Sequence, residues 1–177
     1  MKSGRYHPLL VSLHWLLAIM IVFSLGVGMF SLKEIANSSP DKIFALRVHM
    51  IAGILILVFT LARFAVRFIA DRPDPATTGN ALLDKIAVIT HYGLYLLVIL
   101  MAASGIAMSW QAGLPAIVFG GSGTPLPESF AIYGSRLVHG VIAKLLLALA
   151  SLHVLAALYH QFVRRDKLLS RMWFGRS

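Results

Sequence analysis

Cysteine is absent from the chain. That excludes disulfides, thiolate-bound iron–sulfur clusters and the C-x-x-C-H attachment of a c-type haem. Any iron must then be held without a covalent tether, chiefly by imidazole. Charge is also scarce: 13% of the 177 residues are Asp, Glu, Lys or Arg, where a soluble domain carries about 25%. The seven acids all lie outside the long apolar runs. This counts against a transporter of hard cations, whose sites rely on oxygen ligands. No repeat, low-complexity tract or second domain is visible, so one domain over residues 1–177 is expected.

What the chain has in quantity is apolar length. Hydrophobic residues make up 58% of it, and four runs stand out at about 9–32, 44–69, 86–110 and 137–163. A helix needs about 20 apolar residues to cross a bilayer core about 30 Å thick. The expected fold class is therefore all-α, an integral-membrane four-helix bundle. The first run follows the basic leader MKSGRYHP but is longer than the about 7–15 residues of a signal peptide's apolar region, and no A-x-A-like site closes it. A retained helix is expected. KEIANSSPDK, ADRPDPATTGN and the Gly- and Pro-rich stretch Gln111 to Arg136 read as exposed connections, the last folding over one end of the bundle.

The net charge of +9 is explained by topology rather than by nucleic acid. Eleven Lys and Arg fall on the side of the two termini, among them Lys2, Arg63, Arg67, Arg72 and Arg176, and four (Lys33, Lys42, Arg47, Arg136) on the other. Lys144 lies within the last span. The positive-inside rule puts both termini in the cytoplasm.

Ionisable residues inside a membrane span are functional candidates by default. The fourth span carries His139 and His153, 14 residues apart. They lie about 40° apart around a helix, on one face, and about 21 Å apart along it. With the topology above, His49 shares the outer depth of His139, and His14 the inner depth of His153. Each pair suits bis-imidazole ligation of a haem between facing helices. His91 lies near the inner depth as well. Position i+4 favours the same four: Ala18, Gly53, Ala143 and Ala157 are small, whereas Tyr95 follows His91 and Arg164 follows His160. A lone membrane histidine often only bonds a neighbouring carbonyl or serine. Four matched in depth and local packing argue for cofactors.

These residues resemble the bacterial cytochrome b561 family, small four-helix di-haem b proteins of the inner membrane. The carriers are Leu13-His14-Trp15, Val48-His49, His91 with Leu94-Tyr95-Leu96-Leu97, and the series His139, His153, His160. The likeness covers nearly the whole chain and is nearest to the superoxide oxidase type, which passes electrons from superoxide to ubiquinone. It implies two haems b, with His14, His49, His139 and His153 as axial ligands to iron, and His91 and His160 at an inner quinone pocket. His160 follows His153 by seven residues, about 20° away on the same face. Imidazole titrates near neutral pH and suits proton relay. On the outer side Lys33, Lys42, Arg47, Arg136 and Lys144 are available to draw an anion. Arg63 and Arg67 either meet haem propionates or snorkel to the interface.

The competing readings are an electron-relay cytochrome b subunit between the quinone pool and a partner dehydrogenase, and a haem-free bundle, which would be colourless.

Overall fold

Three of the four apolar runs are preceded by a residue suited to starting a helix. The His7 ring accepts from the Leu9 N–H at 3.3 Å, and Ser39 accepts from the Asp41 N–H at the same distance. Each stands before a proline, whose missing N–H would find no partner in a first turn anyway. Asn80 accepts from the N–H groups of Leu82 and Leu83 at 2.9 and 3.3 Å. In the computed structural model, which describes residues 4–70 and 73–174, these starts open α1 (Pro8–Glu34), α2 (Pro40–Ile69) and α3 (Ala81–Gln111). The last long helix, α4 (Gly134–Arg164), follows a short 3-10 turn, Phe130–Ile132. All four are long and apolar enough to cross a membrane, and no strand occurs among the described residues. This is the all-helical bundle expected from the sequence.

The helices overrun the apolar runs. α2 starts at Pro40 rather than near residue 44, and α3 at Ala81 rather than near 86. The capping side chains Ser39 and Asn80 sit in polar flanks, so hydropathy marks the membrane while capping marks the helix. Two stretches of the long helices widen to π-helix, Val27–Ser31 in α1 and His160–Arg164 at the end of α4, and a third π turn, Pro115–Phe119, lies in the α3–α4 connection.

Neighbours in sequence are neighbours in space. α1 packs along α2, α2 along α3, and α3 along α4, whereas the backbones of α1 and α4 stand apart and meet through side chains. Halfway along the bundle one residue from each helix is buried together: Leu17, Ile56, Val98 and Leu146. Leu146 lies midway between His139 and His153 on α4. Outward faces carry exposed Ile19, Val22, Phe44 and Ile69, as a lipid-facing surface requires.

The two ends are closed differently. At one, the α3–α4 connection folds back so that Leu114 and Val118 pack on Leu46 of α2. Arg47 clamps this loop by donating to the Val118 carbonyl at 2.6 and 3.1 Å. Lys42 is only 4% exposed, and its ammonium donates to the carbonyls of Leu32 and Ile35, closing the end of α1. At the other end, the Trp15 indole donates to the Met172 carbonyl at 2.8 Å, Arg5 to the Phe174 carbonyl at 3.0 Å and Arg171 to the Asp74 carbonyl at 2.9 Å. The described N- and C-terminal segments therefore meet at this end. Lys2, Arg72 and Arg176 of the charge count lie outside the described residues.

The Lys42 cap leads to a stability prediction. Lys42→Met keeps the aliphatic stem but leaves two helix-end carbonyls without a donor, and each buried unsatisfied group costs about 1–3 kcal/mol. Thermal unfolding of the variant in detergent is expected at a clearly lower midpoint than that of the parent protein.

Candidate haem-binding site

α4 contributes to both candidate sites. Its histidines meet partners from the opposite wall at two levels. His139 faces His49 of α2 with ring centres 6.3 Å apart, and His153 faces His14 of α1 at 6.2 Å; both pairs are inclined at 77°. The pairing expected from depth is thus the pairing that the fold brings together. A metal–imidazole bond of about 2.0–2.1 Å, as at zinc, plus roughly 1.1 Å from ring nitrogen to ring centre, sets two imidazoles that share one metal roughly 6.2–6.4 Å apart. Both pairs fit that separation. His91 does not. Its ring is 5.3 Å from that of His153, about 1 Å too close for an iron between them.

The level nearer the α3–α4 loop is built from serine and glycine as well as histidine. Ser104 donates its hydroxyl proton to the Met101 carbonyl at 2.9 Å, so its oxygen accepts from His139 Nδ1 at 3.0 Å. Nδ1 then carries the proton and Nε2 presents its lone pair, the form an imidazole ligand needs. Ser24 of α1 stands 3.4 Å from His49 Nδ1. Glycine lets both rings approach. A Cβ at Gly105 would come within 3.1 Å of the His139 ring, and one at Gly28 within 3.3 Å of the His49 ring. At Gly53, one turn beyond His49, an added Cβ would meet nothing within 4 Å, so the room expected beside that ligand exists.

The level nearer the termini is richer in cations. Arg63 donates to the Tyr95 hydroxyl and lies over its ring, 5.5 Å from the centre, and Arg67 lies 5.3 Å from the centre of Tyr92. Both guanidinium groups turn inward to α3 rather than snorkelling, and the Nε of each is buried without a hydrogen-bond partner. Orphaned donors on two cations fit carboxylates such as haem propionates. His91 donates Nδ1–H to the Ala87 carbonyl at 2.7 Å, which leaves Nε2 available. His160 lies farther along α4. Its Nδ1 is 2.5 Å from Asp166, and its ring neighbours Tyr159. The structure shows no contact between His91 and His160.

Several roles expected from sequence shift. Lys42 and Arg47 are bound to backbone carbonyls at the loop end rather than displayed to an anion. Lys144 is exposed on the outside of α4. Arg136 is the cation beside the site: its guanidinium lies along Gly140, where an added Cβ would come within 3.1 Å, and its charge reaches His139. His7, to which the sequence assigned nothing, caps α1. The supporting residues Ser24, Gly28, Ser104, Gly105 and Asp166 escaped sequence reasoning. The available signal was polar and small residues interrupting the apolar runs.

Comparison with known proteins agrees with this construction. A model of the family described as Prokaryotic cytochrome b561 matches residues 5–175. The chain is 28% identical over 180 residues to "Cytochrome b562" of Cereibacter sphaeroides, covering 97% of this chain and 96% of that protein. It is 29% identical over 178 residues to "Cytochrome b561 homolog 2" of Escherichia coli K12, covering 95% and 90%. It is 25% identical over 177 residues to "Probable superoxide oxidase CybB" of Yersinia pestis, covering 95% of each. The chain belongs to the prokaryotic cytochrome b561 family, and is a multi-pass bacterial membrane protein for electron transfer whose family implies haem b.

Proposed function

We propose that the chain is a single transmembrane domain that holds two haems b and carries electrons from superoxide, at the loop end, to ubiquinone, at the end bearing the termini. In this reading it sits in the bacterial inner membrane with both termini cytoplasmic. The observation that carries the proposal is the pair of facing imidazoles at each of two levels, 6.3 and 6.2 Å apart. The relative named as a probable superoxide oxidase supports the choice of donor.

His49 and His139 would hold one haem, and His14 and His153 the other. Bound there, haem supplies one-electron transfer. The chain's own residues do the rest. Ser104 keeps the His139 imidazole in the ligating tautomer, and Ser24 lies within hydrogen-bond reach of His49 Nδ1. Leu17, Ile56, Val98 and Leu146 separate the two levels with packed hydrocarbon and exclude water between them. Arg63 and Arg67 offer donors to propionates. Arg136 supplies positive charge near His139, where an anionic donor must arrive. His91 and His160 are the groups proposed to meet quinone oxygens and to move protons. The balance is two superoxide anions giving two dioxygen molecules, while one quinone takes up two electrons and two protons.

The test is a spectrum and a rate. Detergent-purified protein is expected to bind two low-spin b-type haems per chain, and superoxide alone is expected to reduce them, with quinol formed when ubiquinone is supplied. A colourless protein overturns the cofactor reading. Reduction that requires an added dehydrogenase assigns the relay role instead.

Four variants refine it. His139→Ala is expected to leave one haem per chain, and His14→Ala the other one, as separate losses in a redox titration. Ser104→Ala frees the His139 tautomer and is expected to weaken retention of the loop-end haem by about tenfold, read as haem loss to an apo-globin scavenger. Arg136→Gln is expected to slow superoxide-driven reduction several-fold and to flatten its dependence on ionic strength, followed by stopped-flow absorbance.

A further inference from the structure

The end of α4 carries a construction that the haem reading does not use. The helix widens to a π turn over His160–Arg164 and stops at Arg165. Arg165 and Lys167 both adopt left-handed backbone, with φ of 55° and 59°. Neither is glycine, so each is strained in that region, and such strain persists only where surrounding contacts over-determine it. Asp166, between them, is the residue so held. Its Oδ1 accepts from the Leu168 N–H at 3.3 Å, its N–H reaches the His160 carbonyl at 3.4 Å, and its Oδ2 lies 2.5 Å from His160 Nδ1. The turn beyond is locked in its own right, with the Ser170 N–H and hydroxyl both donating to the Lys167 carbonyl.

A carboxylate only accepts, so Nδ1 of His160 donates and Nε2 is the nitrogen left to face a ligand. Partial burial pushes the Asp166 carboxyl up. The hydrogen bonds from His160 and Leu168, with the His160 and Arg164 charges nearby, hold it below the usual carboxylate range, so it stays ionised. Of the neighbouring charged or titratable groups, Arg164 is shared with Asp166, while Asp84 and His91 are engaged elsewhere. Arg164 lies 3.7 Å from Asp166 and donates to the Thr78 carbonyl. Asp84 accepts from the Thr78 N–H and hydroxyl. His91 is turned to Ala87 and His153.

We propose that Asp166 is a positioning residue for proton delivery to the quinone: the strained turn from Arg165 to Lys167 presses its carboxylate on His160 Nδ1, fixing that ring so that Nε2–H of the imidazolium hands a proton to a quinone oxygen. This rests on the quinone reading given above. In each cycle the N–H bond at Nε2 breaks, an O–H bond forms on the quinone, and water on the terminal side reprotonates the ring. The outer one-electron donor supplies the two electrons one at a time, and two such proton transfers complete the quinol. Asp166 stays ionised throughout and compensates the imidazolium charge.

The test uses the full-length holoprotein and three forms: the parent, Asp166→Asn and Asp166→Glu. The first readout is independent of turnover: 15N NMR of histidine-labelled protein, with the His160 signal assigned from His160→Gln. Asp166→Asn is expected to weaken the Nδ1–H tautomer preference of His160, seen as a change in its 15N shifts. The second readout is quinol formation with superoxide as donor. Asp166→Asn is expected to be about tenfold slower at unchanged haem content; Asp166→Glu restores much of the rate. An unchanged His160 tautomer preference overturns the proposal. So does a changed preference with an unchanged rate, which leaves the quinone reading standing. If the parent protein reduces haem but never quinone, the quinone reading itself fails and the proposal falls with it.

Discussion

The arrangement depends on one constraint: α4 has to offer an imidazole to two different partners on the same face. His139 and His153 lie about four turns apart, a spacing that keeps both directed to the same side of the helix. Their partners come from different helices, His49 on α2 and His14 on α1. α1 and α2 must therefore stand together opposite α4, and α3 is left to close the seam between α2 and α4. The observed packing is of this kind, with sequential neighbours in contact and α1 and α4 meeting through side chains. A bundle tightened on all four seams would bring the facing rings closer than a shared metal permits. The central layer of Leu17, Ile56, Val98 and Leu146 holds the helices together between the two levels without drawing the rings in.

Much of this was legible in the sequence, for a physical reason. A bilayer makes the position of a polar group along an apolar run equivalent to its depth, so four histidines could be paired before any contact was known. The choice of His14 over His91 was weaker, because depth does not report lateral position. Beyond the small residue at i+4, the ring separations, 6.2 Å against 5.3 Å to His153, distinguish them. The supporting residues were illegible for a related reason. Ser24 and Ser104 act on rings carried by other helices, and nothing in local spacing predicts which helix a serine will face. Lys42 and Arg47 were misassigned as surface charge because a count of loop cations takes no account of carbonyls. Helix ends and loops leave acceptors unsatisfied, and a long cation that can bury its stem will find them.

The two ends of the bundle differ in what holds them. The loop end is packed apolar surface clamped by Arg47 and Lys42. The terminal end is a hydrogen-bonded meeting of the N-terminal leader, the α2–α3 connection and the C-terminal turn, through Arg5, Trp15, Arg171 and Arg164. Packed hydrocarbon resists opening as a unit, whereas single hydrogen bonds between exposed segments exchange readily with water. In the proposed direction of flow, a small anion needs no more than a cation near the haem edge. A quinone needs an entrance wide enough for a ring and a route for protons. The end held by hydrogen bonds between separate segments is the one where the second demand falls.

The π turns fit the same division. Ser24 and Gly28 are four apart in α1 and both address His49, one through its hydroxyl and one as a surface without a Cβ. Gly28 falls in the widened turn Val27–Ser31. An extra residue in a turn rotates everything beyond it by about 100° relative to an uninterrupted helix. The last turn of α1 is thereby free to reach the Lys42 ammonium through the Leu32 carbonyl while the preceding turn keeps its register on His49. The same device at His160–Arg164 shifts the residues beyond His160, where Asp166 reaches back to its ring. Sequence spacing put His160 about 20° from His153, and the widened turn that starts there gives that ring a carboxylate from beyond the helix end.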